Sequence, residues 1–276
     1  MIRSPDLRAE AEKAYRLLTA PLRVLPDFVL PGAPKCGTSS LYDHLCEHPL
    51  VRRASRKEPT NFIHYPGSIL RSRMHYPFAL SRKWRGPFRC GDGSVEYFTH
   101  PDAPRLVGSV LPRAKLIFLF RDPVERAWSD YQMFRRSGSE QEDFAECARR
   151  AVGWLSDESL RPLIQSAARH AFNPVRYLDA GLYATHMDRW LAVYPRDQCL
   201  FLVSEEFFAD FAGTMKRVLE FLELPLVAFA DSSISRAGGY SASVDPSTRT
   251  LLRDFYQPHN ARLAERLGRA LPWPDA

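Results

Sequence analysis

The stretch Gly32-Ala33-Pro34-Lys35-Cys36-Gly37-Thr38-Ser39-Ser40 carries two glycines at the spacing of a nucleotide-phosphate loop, with Thr38 where such a loop has its lysine. Backbone N–H groups around Gly37 and at the start of a following helix suit an anion, and the hydroxyls of Thr38, Ser39 and Ser40 add donors. Lys35, inside the loop, offers a point charge to the oxygen between a phosphate and its leaving group. The plain alternative is a tight strand-to-helix turn whose Ser and Thr only cap the helix. A second candidate follows the apolar run Lys115-Leu116-Ile117-Phe118-Leu119-Phe120. Arg121 brings forked donors to a phosphate, and Ser129, two turns along the next helix, adds a hydroxyl. Here the alternative is an Arg121 paired with a carboxylate and a Ser129 that serves helix packing.

These residues need elements to hold them. Phe28-Val29-Leu30, ending at Pro31-Gly32, predicts a buried strand feeding the loop, and the pattern becomes helical from Thr38 to Cys46. Residues 115–120 predict a second strand that passes through Arg121-Asp122-Pro123 into a helix reaching Phe134. A third strand, Cys199-Leu200-Phe201-Leu202-Val203, follows a helix over Tyr183 to Val193. Leu7, Ala11, Ala14, Tyr15 and Leu18 stand at helical spacing and predict an amphipathic helix packed on the main domain. Residues 140–180 and 211–223 read as helical, and Ser247 to Ala270 as a last helix broken near Pro258. Residues 51–92, rich in Arg, Lys, Pro and aromatics without clear period, read as loops and short elements around a site. Strands alternating with helices predict an α/β fold, a P-loop-like three-layer α/β/α arrangement with a central parallel sheet. A single domain is expected over 1–276, with an N-terminal helical extension over 1–25 and a C-terminal helix over 247–271. In such a sheet ligands sit beyond the carboxyl ends of the strands, which singles out 31–40, Arg121 and Ser204 to Glu206.

Composition narrows the classes. Hydrophobic residues are 45% and charged residues 25%, which fits a globular chain and excludes disordered, fibrous and repeat proteins. The net charge of +6 suits an anionic cofactor or acceptor as well as nucleic acid. The positive residues fall at strand ends and loops, not in one stripe with interleaved aromatics, so no nucleic-acid partner is expected. Cys36, Cys46, Cys90, Cys147 and Cys199 form no C-x-x-C pair and have no His at metal spacing, which predicts a reducing cytoplasmic location and no zinc. No apolar run approaches the roughly 18 residues that span a bilayer, and Met1 to Arg16 lacks the apolar centre of a signal peptide.

Together, Pro34-Lys35-Cys36-Gly37-Thr38-Ser39-Ser40-Leu41, Lys57-Glu58-Pro59 and Phe120-Arg121-Asp122-Pro123-Val124-Glu125-Arg126-Ala127-Trp128-Ser129-Asp130-Tyr131 resemble the sulfotransferase family. The subgroup they look most like is that of the heparan sulfate N- and O-sulfotransferases and their bacterial relatives. Tyr97-Phe98 before a Pro-containing helix, Gly181-Leu182-Tyr183, Trp190-Leu191 and Gln198 extend the resemblance from about Asp27 to Pro272. It implies 3′-phosphoadenosine 5′-phosphosulfate as co-substrate, held at its 5′ end by Lys35, Cys36, Gly37, Thr38, Ser39 and Ser40 and at its 3′-phosphate by Arg121 and Ser129. It also implies that Glu58 is the base that deprotonates a hydroxyl, with an amine as the alternative, on a carbohydrate, glycolipid or small-metabolite acceptor. The physics agrees, since a hydroxyl is a poor nucleophile until a positioned carboxylate takes its proton. A sulfuryl group carries less charge than a phosphoryl group, so lysine and backbone donors suffice for the leaving phosphate and no metal is called for. Without the resemblance, Glu58 reads as a surface carboxylate paired with Lys57 or Arg56.

The chain departs from that family twice. Gly93 stands near a family lysine, so a cationic contact to the sulfate or the base is lost or comes from elsewhere. Ser235-Arg236-Ala237-Gly238-Gly239-Tyr240 stands where the family has a basic cofactor loop, and Arg236 is the candidate there. Some sulfotransferases use a histidine base; His64 and His75 are the candidates near an acceptor. Phe62, Tyr65, Tyr76, Phe78 and Trp84 read as core residues first and as a sugar-binding wall second. Two other classes remain open: a P-loop kinase of a small metabolite, against which Thr38 speaks, and a non-catalytic binder of nucleotides or nucleic acid.

Overall fold

The computed structural model describes residues 7–82, 86–160, 162–164, 175–229 and 243–274, which leaves Trp84 and Arg236 outside the described residues. Five strands, β1 (Phe28–Gly32), β2 (Val51–Arg52), β3 (Arg89–Asp92), β4 (Lys115–Phe120) and β5 (Cys199–Val203), make one sheet in the order β2-β3-β1-β4-β5. Every pairing is parallel. β1 is buried at all its positions and β4 at all but Lys115, so both faces of the sheet are covered and their sequences are continuous apolar runs.

Twelve helices are described: α1 (Leu7–Leu18), α2 (Thr38–Leu45), α3 (Asn61–His64), α4 (Ile69–Arg73), α5 (Ala103–Val110), α6 (Pro123–Arg136), α7 (Phe144–Ser156), α8 (Arg176–Asp179), α9 (Tyr183–Leu191), α10 (Ser204–Ala209), α11 (Phe211–Phe221) and α12 (Pro246–Leu267). The core is aromatic where α9 meets the sheet, with Phe118 stacked on Phe201 at 5.1 Å and Phe120 on Tyr183 at 4.7 Å. A second apolar cluster joins α6, α7, α8 and α12 through Tyr131, Phe144, Leu178, Leu252 and Tyr256.

The strands with apolar runs, β1, β4 and β5, were legible in the sequence; β2 and β3 were not. Arg89-Cys90-Gly91-Asp92 has no apolar run. It is made a strand by its neighbour: a Cβ on Gly91 would lie 2.4 Å from the Phe28 ring, so only glycine lets β3 close on β1. The Asp27 carboxylate accepts the Cys90 N–H at 2.8 Å and completes the start of that pairing.

Two expectations are corrected. Helix α1 forms, but its stripe is not packed away: Tyr15 is 55% and Leu18 81% exposed. Ala11 and Ala14 on that stripe are exposed too and offer little apolar area to bury. Helix α12 runs unbroken through Pro258, which lies on its exposed side while Leu252, Tyr256, Asn260 and Leu263 are buried on either side of it in the chain. Packing holds the helix where local propensity would end it. No helix among the described residues is long and apolar enough to cross a membrane.

Candidate active site

In the order β3-β1-β4, the chain leaves β1 toward β2 and β3 on one side and reaches β4 and β5 on the other. The crevice of such a sheet therefore opens beyond the carboxyl end of β1. The loop 33–37 lies there. Its start continues the β1–β4 ladder, with Ala33 N–H donating to the Leu119 carbonyl at 2.9 Å. Lys35 holds φ at +66° and Gly37 at +87°, a turn that brings successive N–H groups round to the start of α2. Gly37 takes the left-handed conformation that glycine adopts without steric cost, and a Cβ there would also force the tip of the Phe208 ring, 2.8 Å away, to move. A non-glycine residue in the left-handed region, as at Lys35, is sustained only where the surroundings impose it.

Those surroundings come from three elements. Arg121, just after β4, donates to the Lys35 carbonyl at 3.3 Å, and Ser204, just after β5, donates to the Cys36 carbonyl. Tyr183 at the start of α9 donates to the Arg121 carbonyl at 2.7 Å, and its hydroxyl lies 3.7 Å from Cys36 Sγ. Burial pushes the Cys36 thiol up to about 12, so it stays protonated and packs inward; what Cys36 offers an anion is its backbone. Among the described residues Arg121 makes no ion pair, so the carboxylate-paired alternative is not what the structure holds.

Helix α2 begins at Thr38 with Gly37 as its N-cap and no side-chain cap, so the Ser and Thr of the loop do not act as caps. The Ser40 hydroxyl is buried and has no hydrogen-bond partner among the described residues. An uncapped helix start with an orphaned hydroxyl in its first turn fits an anionic group such as a phosphosulfate. Lys35 Nζ makes no ion pair among the described residues and lies 3.6 Å from Met133 Sδ on α6. Ser129, 6% exposed, precedes Met133 by one turn on the same face of α6. The face of α6 that meets Lys35 is thus the one that carries Ser129.

The carboxylates after β4 and β5 serve the fold. Asp122 caps α6, accepting from the Val124 N–H at 2.8 Å and the Glu125 N–H at 3.3 Å. Glu205 accepts the Asp122 N–H at 2.9 Å and the Trp273 indole N–H at 3.0 Å, and Glu206 pairs with Arg269. A magnesium-binding carboxylate of the kind a P-loop kinase needs is not left over at either strand end.

Glu58 reaches the loop by way of Lys57, a residue that the sequence offered only as its ion partner. Lys57 Nζ lies 2.5 Å from Ser39 Oγ and 3.5 Å from Glu58 Oε1. The segment that carries them is pinned at both ends. Tyr42 of α2 accepts the Ala54 N–H at 3.2 Å and donates to the Gly91 carbonyl at 3.1 Å. At the other end Ser94 Oγ accepts the Thr60 N–H at 3.0 Å, while Ser94 and Tyr76 donate to Asp92 at 2.5 and 2.6 Å. Asp92 is fully buried, and burial raises its carboxyl above the usual range against these hydrogen bonds. No sequence signal marked this network, because its members are spread from Tyr42 to Tyr97.

The other acceptor candidates separate. Phe62 and Tyr76 are core residues, each 1% exposed, and Phe78 lies under the Arg23 guanidinium at 4.2 Å. His64 is exposed, and His75 is half-buried against Ser55 Oγ at 3.2 Å. Glu140, Glu142 and Cys147 cluster elsewhere, but Glu142 pairs with Arg150 and Glu140 accepts the Tyr177 hydroxyl.

Comparison with known proteins supplies the family. The sulfotransferase domain family matches residues 25–236. Human carbohydrate sulfotransferase 15 is 32% identical over 310 residues, covering 91% of this chain and 55% of the relative, so the chain spans about half the length of that protein. Human heparan sulfate glucosamine 3-O-sulfotransferase 6 is 29% identical over 278 residues, covering 91% of this chain and 74% of the relative. The solved sulfotransferase from Alicyclobacillus acidocaldarius superposes with a TM-score of 0.68 at 26% identity, covering 90% of this chain and 98% of that one. With its family match over most of the length and its anion loop at the switch point of a parallel sheet, the chain belongs to the sulfotransferase family.

Proposed function

We propose that this protein transfers a sulfuryl group from 3′-phosphoadenosine 5′-phosphosulfate to a carbohydrate hydroxyl, with Glu58 as the base. The observation that carries the reading is the meeting of the Glu58 segment with the anion loop, through Lys57 on Ser39 Oγ. A half-exposed carboxylate beside an uncapped helix start gives a proton acceptor next to a site for a bound anion. The loop N–H groups and the hydroxyls of Thr38, Ser39 and Ser40 would hold the 5′ end of the donor, and Lys35 would steady the departing phosphate. Arg121 and Ser129, after β4 and along α6, would take the 3′-phosphate. The donor supplies the activated sulfuryl group; the protein supplies alignment and the base. Relatives named as carbohydrate and glucosamine 3-O-sulfotransferases support a carbohydrate acceptor, the latter through a hydroxyl, and a neutral alcohol needs a carboxylate base to become a good nucleophile.

Calorimetry with adenosine 3′,5′-bisphosphate, with ATP and magnesium, and with an oligonucleotide separates the classes. Binding of the bisphosphate alone is expected, and binding of ATP with magnesium alone would sink the reading. A panel of heparan chains and other acidic and neutral glycans with labelled donor then identifies the acceptor. In the Glu58→Gln variant bisphosphate affinity should persist while transfer falls by about a hundredfold or more. Unchanged transfer would move the base to another residue.

A further inference from the structure

We propose that Lys57 is a second catalytic cation, one that contacts the sulfuryl group as it moves, and that it is separate in place and role from Lys35. The inference rests on the sulfotransferase reading above. Ser39 marks the donor end of the site and Glu58 the acceptor end. The Lys57 ammonium contacts both, 2.5 Å from Ser39 Oγ and 3.5 Å from Glu58 Oε1, so a sulfuryl group passing from one end to the other would come within its reach. Its side chain is 26% exposed, which is enough burial for a fixed ammonium to act in a medium poorer in water than the surface.

The two lysines come from different elements. Lys35 belongs to the loop and rests on Met133 of α6, whereas Lys57 enters from the segment after β2. That segment is tied to Tyr42 at Ala54 and to Ser94 at Thr60, so the backbone under Lys57 is set by buried groups.

The step balances without a further reagent. The acceptor oxygen forms its bond to sulfur while its proton passes to the Glu58 carboxylate. The bond from sulfur to the 5′-phosphate oxygen breaks, and its electron pair stays on that oxygen. The products are a sulfate ester and adenosine 3′,5′-bisphosphate. Lys57 exchanges no proton; its ammonium gives up the Ser39 hydroxyl for the sulfuryl oxygens and keeps Glu58 at the acceptor side.

The test compares Lys57→Gln and Lys57→Arg with the unchanged chain, using two nucleotides that differ only in the sulfuryl group. Calorimetry without acceptor measures affinity for the bisphosphate and for the phosphosulfate, thermal melting checks the fold, and single-turnover transfer to the chosen glycan reads the chemistry. Lys57→Gln should bind the bisphosphate within about twofold of the unchanged chain and lose about tenfold in its preference for the phosphosulfate. Transfer should slow by about a hundredfold, and Lys57→Arg should recover part of both losses. An unaltered preference and rate would overturn the proposal. So would equal losses for both nucleotides with a lowered melting temperature, because Lys57 would then only brace Ser39. If the unchanged chain binds neither nucleotide, the sulfotransferase reading itself falls and the Lys57 role falls with it.

Discussion

A base must touch the proton it takes, and the base proposed at Glu58 is held at the loop by its neighbour Lys57 and the anchored backbone around it. The same residue scale separates groups that titrate from groups that pack. Cys36 sits in the middle of the loop, yet its buried thiol stays protonated and contributes backbone alone. His75 is lowered to about 4, first by burial and then by the charges of Arg16, Arg56 and Arg23. Its sign follows from linkage: a histidine whose folded value lies below the unfolded one binds fewer protons in the folded state. Its stabilising effect is whole above the unfolded value of about 6.5 and is lost as pH falls from there toward 4. Denaturant stability measured between pH 7 and pH 4 should therefore decline less steeply in His75→Asn than in the unchanged chain. Parallel curves for the two would place His75 outside the acid response.

At the scale of elements, the site is a set of strand ends brought into one plane. The loop after β1, Arg121 after β4, Ser204 after β5 and Asp92 at the end of β3 all stand on the same edge of the sheet. Parallel pairing makes this unavoidable, since every strand delivers its carboxyl end to one side. Apolar runs announced three of these strands because burial on both faces leaves a continuous hydrophobic signature. β3 had no such signature: Gly91 against the Phe28 ring is a fit between two elements, and single-sequence periodicity does not see fits. Helix α12 shows the reverse case, in which a local break signal is overruled by packing on either side of Pro258. Replacing that exposed proline should relieve the missing N–H of the helix ladder. Pro258→Ala is expected to stabilise the protein by about 1–3 kcal/mol in denaturant unfolding, with the unfolded-state entropy of the lost proline reducing the gain. A destabilised variant would mean that the ring itself packs.

At the scale of the whole molecule, two apolar clusters hold one site between them. The sheet core supports the loop from below through Phe120 and Tyr183, and the α6–α7–α8–α12 cluster holds the helix that carries Ser129 and Met133. Under the proposed function, the net charge of +6 would bear on recognition of an anionic acceptor and not on the fold. A sulfated or carboxylated glycan would be drawn to such a surface through screened interactions that weaken within about 8–10 Å at physiological salt. The apparent KM for the glycan should therefore rise several-fold as ionic strength increases from about 50 to 200 mM, while kcat at saturation holds. A KM indifferent to salt would put acceptor recognition on uncharged contacts.

The loop after β1, the apolar strands β1, β4 and β5, the base candidate and the family resemblance were all present in local order along the chain. Each depends on neighbours within a few residues: glycine at a positive φ, an apolar run, a carboxylate beside a proline. What local order could not hold was the partnership of distant groups. Lys57 meets Ser39 across the turn of α2 and β2, Tyr42 ties Ala54 to Gly91, and Asp92 gathers Tyr76, Ser94 and Tyr97 into one buried network. Those contacts join residues far apart in sequence whose types are individually common, and only the closing of the sheet brings them within hydrogen-bonding distance. The loop declares what kind of ligand it suits; the fold decides which side chains surround it.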